Sequence, residues 1–222
     1  QIEAAVEQYG ESPNGYTTNP GEQCLLGAEN AIYYLLMNNE EELMKNADLR
    51  MAVSLAINRQ AICDTVFEGT REPADNIIPP GIAGYEEGAW VDSKYDVDGA
   101  KAALEAAGYP EGEGLPTLTL SFNNDGGHES IMQLIQADLS AIGIETEFQS
   151  ADFPTYLKQL DAADYLLGRL GWIADYPIMD SFLYPLFQSE STDNKAYYKN
   201  TDVDGMLAEA RGITDQSARL EK

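Results

Sequence analysis

The sequence is short of several residue types on which catalytic and metal sites depend. It has one histidine and two cysteines in 222 residues. Cys24 and Cys63 are too few for a disulfide framework and lack metal-ligand neighbours, so they either pair with each other or stay free. His128 is predicted to lie at a loop-to-helix junction, and neither a G-x-S-x-G motif nor a phosphate-binding G-x-x-x-x-G-K motif is present. An enzyme, such as a hydrolase, is therefore the less favoured class.

Positive charge and long apolar runs are also scarce. Lysine and arginine total 13 against 38 acidic residues, which gives a formal net charge of −25. Such a charge repels nucleic acid and anionic membrane surfaces, so neither is a predicted partner. No run reaches the roughly 18 apolar residues of a membrane-spanning helix, and the N-terminus has no targeting pattern. The helical pattern of "DQSARLEK" has no stop signal, which predicts that the chain is an excised piece.

The residues that are present predict a mixed α/β chain. Residues 1–30 are polar and rich in glycine and proline, which predicts an irregular lead-in. "AIYYLLMN" is typical of a buried strand, and "NADLRMAVSLAINRQAICDTVF" of one amphipathic helix that begins at Asn46 or Asp48. "LPTLTLSFN", "HESIMQLIQADLSAIG" and "IETEF" then predict a strand, a crossover helix and a strand. A further helix in "FPTYLKQLDAADY" and a strand in "YLLGRLGW" complete one sheet with helices packed on it.

The tetrapeptide "DVDG" occurs twice, at 96–99 and 202–205, each time before an alanine-rich helix. A calcium loop needs more oxygen ligands and a distal glutamate at fixed spacing. Helix capping, in which the first aspartate accepts first-turn N–H groups, is the favoured interpretation of both copies.

The stretch "GRLGWIADYP" contains the components of a site for a zwitterion. Arg169 can bind a carboxylate and Asp175 can bind an ammonium group. Trp172 offers a flat apolar wall, and Gly171 permits the close approach of another backbone. A short peptide carries both charges. The residues alone leave open the alternative that Arg169 and Asp175 pair with each other or with other surface charges.

Several long motifs in the same order resemble one protein family. "YYLLMN", "NADLRMAVSLAINRQAI", "IIPPGIAGY", "AKAALEAAGYPEG", "IQADLSAIGIETEFQSADFPTYL", "GWIADYPIMDSFLYPLF" and "YYKNTDVDGMLAEARGITDQSARLEK" are similar to segments of the extracytoplasmic solute-binding proteins of family 5. This family includes the oligopeptide- and dipeptide-binding proteins of ABC importers. The resemblance runs from about Ala31 to the C-terminus.

The resemblance implies a periplasmic-binding-protein-like type II lobe, the second lobe of a two-lobed protein. Residues 1–222 would form one excised ligand-binding lobe, with the lead-in at 1–30 and the family lobe at 31–222, truncated before the chain returns to the other lobe. The implied function is to capture short peptides between two lobes and deliver them to a membrane permease, outside the cytoplasm, as a lipoprotein whose anchor is absent from this chain. No cofactor and no catalysis are implied.

The resemblance also assigns roles to individual residues. Asp175 matches the acid that pairs with the α-ammonium of a peptide, and Arg169 an arginine that can meet a peptide carboxylate. Trp172, Phe153 and Tyr34 match aromatic residues of the cleft. Phe153 stands where peptide-binding members often carry tryptophan. Other members of the family carry nickel, heme or sugars, so a non-peptide ligand is the alternative, and Asp175 is the reason to prefer a peptide.

Overall fold

The structure, a computed structural model, describes residues 2–13, 15, 17–27 and 29–222. The chain divides into two compact units, Gln1–Asn30 and Ala31–Lys222. The smaller unit contains helix α1 (Ile2–Tyr9) and an isolated bridge between Glu11 and Cys24. The sequence predicts irregular structure throughout this segment, and α1 differs from that prediction because no glycine or proline interrupts the chain before Gly10.

The larger unit combines four strands with nine helices along its described length. In chain order these are β1 (Ala31–Met37), α2 (Glu42–Lys45), α3 (Ala47–Ala56), α4 (Arg59–Val66), α5 (Val97–Ala106), β2 (Leu118–Asn123), α6 (His128–Ser140), β3 (Thr146–Ala151), α7 (Phe153–Asp161), β4 (Leu167–Ile173), α8 (Asp180–Phe187), α9 (Thr201–Gly212) and α10 (Gln216–Leu220). Short 3₁₀ turns lie at Val91–Ser93 and Pro110–Gly112.

The four strands form one mixed sheet in the order β1-β4-β2-β3. β2 runs parallel to both β3 and β4, whereas β1 pairs antiparallel with β4. The sequence predicts a buried strand at "AIYYLLMN". β1 instead lies at the edge of the sheet, and most of its residues are only half-buried.

Helices cover both faces of the sheet. The largest apolar core lies on one face, where α3, α5 and α6 pack against inward-pointing residues of β2 and β4 such as Leu120 and Leu167. The opposite face carries two smaller clusters. One is centred on Tyr156 and Leu160 of α7, and the other on Phe182 of α8. This layering follows from the two-residue alternation of the strands.

The predicted helix after Asn46 is two helices. Asn46 caps α3 as expected, accepting hydrogen bonds from the N–H groups of Asp48 and Leu49. Ile57 then takes an extended conformation, and Asn58 caps α4 by accepting from the N–H of Ala61. The apolar pattern continues across this break, which is why the sequence predicts a single element.

The two "DVDG" copies differ in their roles. Asp96 caps α5, accepting a hydrogen bond from the N–H of Gly99 at 2.9 Å. Asp202 lies inside the first turn of α9, and Asn200 is the cap, accepting from the N–H groups of Asp202 and Val203. The second capping prediction is therefore wrong by two residues. An aspartate in the first helical turn still interacts favourably with the helix dipole.

The two cysteines do not form a disulfide. Cys24 and Cys63 are both free thiols, and Cys63 is buried, which raises the pKa of its thiol.

Among the described residues, no helix has both the length and the apolar character needed to cross a bilayer.

Candidate ligand-binding site

The candidate site lies at the carboxyl edge of the parallel strands. The connection from β2 through α6 leads to β3 on one side of β2, and the connection from β3 through α7 returns to β4 on the other side. The two helices pack on opposite faces of the sheet. In open α/β sheets such a reversal creates a crevice beyond the carboxyl ends of the strands, which is where ligands bind. The crevice expected here lies between β2 and β4.

β2 and β4 separate at this crevice. Their ladder contains only the pairs Leu120–Leu167 and Ser121–Gly168, and beyond Gly168 the ladder of β4 continues with β1 alone. The Tyr156 hydroxyl lies 3.1 Å from the Ser121 carbonyl oxygen and 2.7 Å from that of Arg169. Because β2 and β4 separate here, these two carbonyl oxygens lack a partner on the neighbouring strand. The Tyr156 hydroxyl donates its one hydrogen to them instead.

Gly168 is required at the point of separation. A Cβ atom there would lie 2.9 Å from the Tyr156 hydroxyl oxygen and 3.0 Å from the Tyr165 ring. The sequence pattern predicts close backbone approach at Gly171 instead. Gly171 is exposed and lies opposite Tyr33, and a Cβ atom added to it would have the Ile32 carbonyl oxygen as its nearest neighbour, at 3.2 Å. Close approach at Gly171 therefore involves β1.

Arg169 points to the face of the sheet that carries Tyr33 and His128. Its guanidinium carbon lies 5.2 Å from the centre of the Tyr33 ring, and Nη2 contacts Nε2 of His128. An arginine can only donate, so His128 Nε2 accepts and the ring hydrogen is on Nδ1, 3.4 Å from the Tyr33 hydroxyl oxygen. Burial, followed by the charge of Arg169, lowers the pKa of His128 to about 4. His128 is thus neutral near pH 7.

Arg169 retains unused hydrogen-bonding capacity. Its Nε is buried and has no partner among the described residues, and no described carboxylate lies within 4.0 Å of its guanidinium group. The Arg169–Asp175 ion pair, left open by the sequence, is therefore not formed. Burial raises the pKa of Tyr33 to about 12, and the charge of Arg169 opposes that shift. An anion entering the crevice would meet a positive charge not already neutralised by an ion pair.

Trp172 and Tyr34 lie on the opposite face of the β1–β4 ribbon from Arg169. Successive strand residues alternate between faces, and positions 169 and 172 are three apart. The Trp172 indole N–H donates to the Ser181 carbonyl oxygen at 2.6 Å, and its ring packs against the Phe182 cluster. Tyr34 packs on the same cluster, and its hydroxyl is buried without a described partner. Much of the surface of both rings therefore packs against other residues of the protein.

Asp175 and Phe153 lie at the same edge of the sheet. Asp175 follows the end of β4 by two residues, and Phe153 follows the end of β3 by two. Both side chains are exposed. The Asp175 N–H donates to Ser181 Oγ at 2.9 Å, and no described cation lies within 4.0 Å of its carboxylate. β2 lies between β3 and β4 in the sheet, so the two residues follow strands that are not adjacent.

The predicted residues thus form three groups around the crevice. Arg169 lies on one face of the ribbon, Trp172 and Tyr34 on the other, and the exposed Asp175 and Phe153 at the edge. Sequence reasoning missed the parts played by Tyr33, His128, Tyr156 and Ser181. Within the part of the chain that the structure describes, no group of three or more His, Cys, Asp or Glu residues could hold a metal ion.

Comparison with known proteins decides the family. The model of the bacterial extracellular solute-binding proteins, family 5 middle, matches residues 1–194. The chain belongs to this family. It is 29% identical to the oligopeptide-binding protein OppA of Bacillus subtilis over 86% of its length, and 31% identical to heme-binding protein A of Haemophilus influenzae over 92%.

Solved structures of the family confirm the predicted fold class. The chain superimposes with a TM-score of 0.80, at 27% identity, on the ABC transporter-associated periplasmic binding protein DppA of Helicobacter pylori in complex with the peptide STSA. That match covers 87% of this chain and 38% of the DppA chain. The curated relatives named above are covered over 36% and 38% of their lengths. This family 5 chain therefore corresponds to little more than a third of each relative.

Proposed function

We propose that this family 5 chain forms one wall of the ligand cleft in the substrate-binding component of an ABC importer. The full-length protein captures short peptides between two lobes and delivers them to a membrane permease. It acts outside the cytoplasm, as a lipoprotein anchored at the membrane surface. Its role is binding rather than catalysis, in keeping with relatives that are named for what they bind.

The proposal rests on the exposed Asp175 carboxylate, which has no described cation as a partner. An exposed carboxylate at the carboxyl edge of the sheet, with no described cation nearby, is available for a ligand's ammonium group. Arg169, equally without a carboxylate partner, would receive the carboxylate of a peptide. Trp172, Phe153 and Tyr34 supply apolar surface around the cleft. Gly171 has no side chain, so it leaves room for the peptide backbone to pass close to β4.

A heme ligand is the second candidate, since one relative is a heme-binding protein at 31% identity. Histidine is a common axial ligand of heme iron. The only histidine of this chain has Nε2 in contact with Arg169 and Nδ1 near the Tyr33 hydroxyl. A nitrogen of His128 could bind iron only after these contacts break. This arrangement favours a peptide over heme.

The proposal is tested by changing Asp175 to asparagine in the full-length protein. The substitution keeps the size of the side chain and removes its charge. A charge-assisted hydrogen bond contributes about 1.5–3 kcal/mol, so calorimetry should show a roughly ten- to hundredfold loss of affinity for peptides with a free N-terminus. N-acetylated peptides should bind the parent weakly and lose little more in the variant.

Asp164→Asn is the matched control. Asp164 is exposed and lies beyond the opposite end of β4, three residues before Leu167. Its substitution removes the same charge from the molecule without reaching the crevice, so affinity for free-amine peptides should stay close to that of the parent. Equal affinity of the parent and Asp175→Asn for free-amine peptides would show that Asp175 is not the amine anchor.

A further inference from the structure

Ser181 is a buried residue that contacts both sides of the turn between β4 and α8. It is the second residue of α8, and only 1% of its surface is exposed. Its side-chain oxygen accepts the Asp175 N–H at 2.9 Å. Its carbonyl oxygen accepts the Trp172 indole N–H at 2.6 Å. One residue thus contacts two of the residues that the sequence assigns to ligand binding.

The hydroxyl contact restrains the backbone at Asp175. A hydrogen bond to the N–H fixes the peptide plane that precedes the residue, and this plane helps set the direction of the Cα–Cβ bond. The Asp175 carboxylate is exposed and has no described cation partner. Among the described residues no hydrogen bond or ion pair holds its side chain, so the backbone at Asp175 sets where the carboxylate lies.

The helix that carries Ser181 is itself anchored. Asp180, the residue before it, forms an ion pair with Arg211 of α9, with Nε 3.2 Å from Oδ1, and accepts a hydrogen bond from the Tyr176 hydroxyl at 2.8 Å. Phe182, the residue after it, is fully buried in its apolar cluster. Because the residues on both sides of Ser181 are held in place, its hydroxyl has a fixed position from which it can restrain the exposed end of the turn.

We propose that Ser181 is a positioning residue for the amine end of the ligand, acting by holding Asp175 through its hydroxyl. The inference rests on the proposed function, since it names a determinant of the same site. The Ser181 hydroxyl does not touch the ligand. Its removal changes the orientation of the Asp175 carboxylate, while the carbonyl that holds Trp172 remains.

Ser181→Ala in the full-length protein separates this role from simple packing. Calorimetry should show a roughly three- to tenfold loss of affinity for free-amine peptides, the effect of one hydrogen bond, and almost no loss for N-acetylated peptides. In the Asp175→Asn background the same substitution should have little further effect, because the group that it positions no longer carries charge. Ser121→Ala, at another fully buried serine, should affect both classes of peptide alike.

Equal losses for free-amine and acetylated peptides, or an undiminished loss in the Asp175→Asn background, would overturn the inference.

Amide hydrogen exchange tests the contact without a ligand. In the parent, the Asp175 amide should exchange at least tenfold more slowly than that of Tyr176, for which no backbone acceptor is described, and Ser181→Ala should abolish the difference. An unprotected Asp175 amide in the parent would overturn the inference whatever the protein binds. Protection that depends on Ser181, together with unaltered binding by Asp175→Asn, would instead confirm the contact but refute the proposed amine anchor, and with it the role of Ser181 at the amine end.

Discussion

His128 and Arg169 form an unusual pair at the scale of single residues, because both are cationic when protonated. Their contact requires a neutral histidine that accepts from the guanidinium group. The pKa of His128 falls from 6.5 to about 4, first because of burial and second because of Arg169. The histidine therefore orients the arginine without competing for an anion.

The lowered pKa of His128 predicts a pH dependence of stability. Between pH 6.5 and pH 4 the unfolded chain takes up a proton at this residue and the folded chain does not, so the free energy of unfolding falls as the pH falls through this window. Below pH 4 both states are protonated and the contribution of His128 stays constant. Urea unfolding at several pH values should show a smaller loss for His128→Gln than for the parent. Identical pH profiles would contradict the assignment of a neutral His128.

At the scale of elements, the separation of β2 from β4 depends on the Tyr156 hydroxyl. Tyr156 is fully buried, and its removal as a donor leaves the carbonyl groups of Ser121 and Arg169 unsatisfied. Tyr156→Phe should therefore lower the free energy of unfolding by about 1–3 kcal/mol, measured by chemical denaturation.

Tyr109→Phe is the control for that measurement. Tyr109 is half-buried against the main core, and no hydrogen bond of its hydroxyl is described. Its substitution should cost less than about 0.5 kcal/mol, as expected for a change that breaks no buried hydrogen bond and leaves no cavity. Equal costs for the two substitutions would mean that the Tyr156 hydroxyl does not hold the strands.

Local sequence patterns are sufficient for elements whose packing is regular. The β2–α6–β3 crossover is predictable because strict alternation and helical spacing each extend over a full element. The break between α3 and α4 is not. It depends on Asn58, whose backbone N–H donates to the Asp138 carboxylate of α6, 80 positions away. A contact of that separation leaves no local pattern.

The site is predictable only in part for the same reason. Arg169 and Trp172 stand out in the sequence because cationic residues and tryptophan are scarce in this chain, whereas Asp175, one of 38 acidic residues, stands out through its place in the family motif. The alternation of β4 already implies that Arg169 and Trp172 face opposite ways. The roles of His128 and Tyr33 depend on strand order, which places the start of α6 beside β4. Strand order is a long-range property, so the sequence reveals the residues but not the cluster.

At the scale of the whole molecule, two properties bear on the site: the net charge, and the share of its relatives' length that the chain covers. A net charge of −25 means that a positive group free of ion pairs, as at Arg169, stands out against the surrounding surface. The chain corresponds to 36% to 38% of the relatives named above, so under the proposed function the opposite wall of the cleft would come from the rest of the full-length protein. Ligand class is therefore a property of the full-length protein.

Native mass spectrometry of the full-length protein, purified without added ligand, tests the central claim most directly. A protein that captures short peptides should carry a heterogeneous set of added masses, which fragment into amino-acid series after denaturation. Asp175→Asn should carry fewer of them, and Asp164→Asn as many as the parent. A single added mass that matches heme, a sugar or a nickel ion, unchanged in Asp175→Asn, would contradict peptide capture.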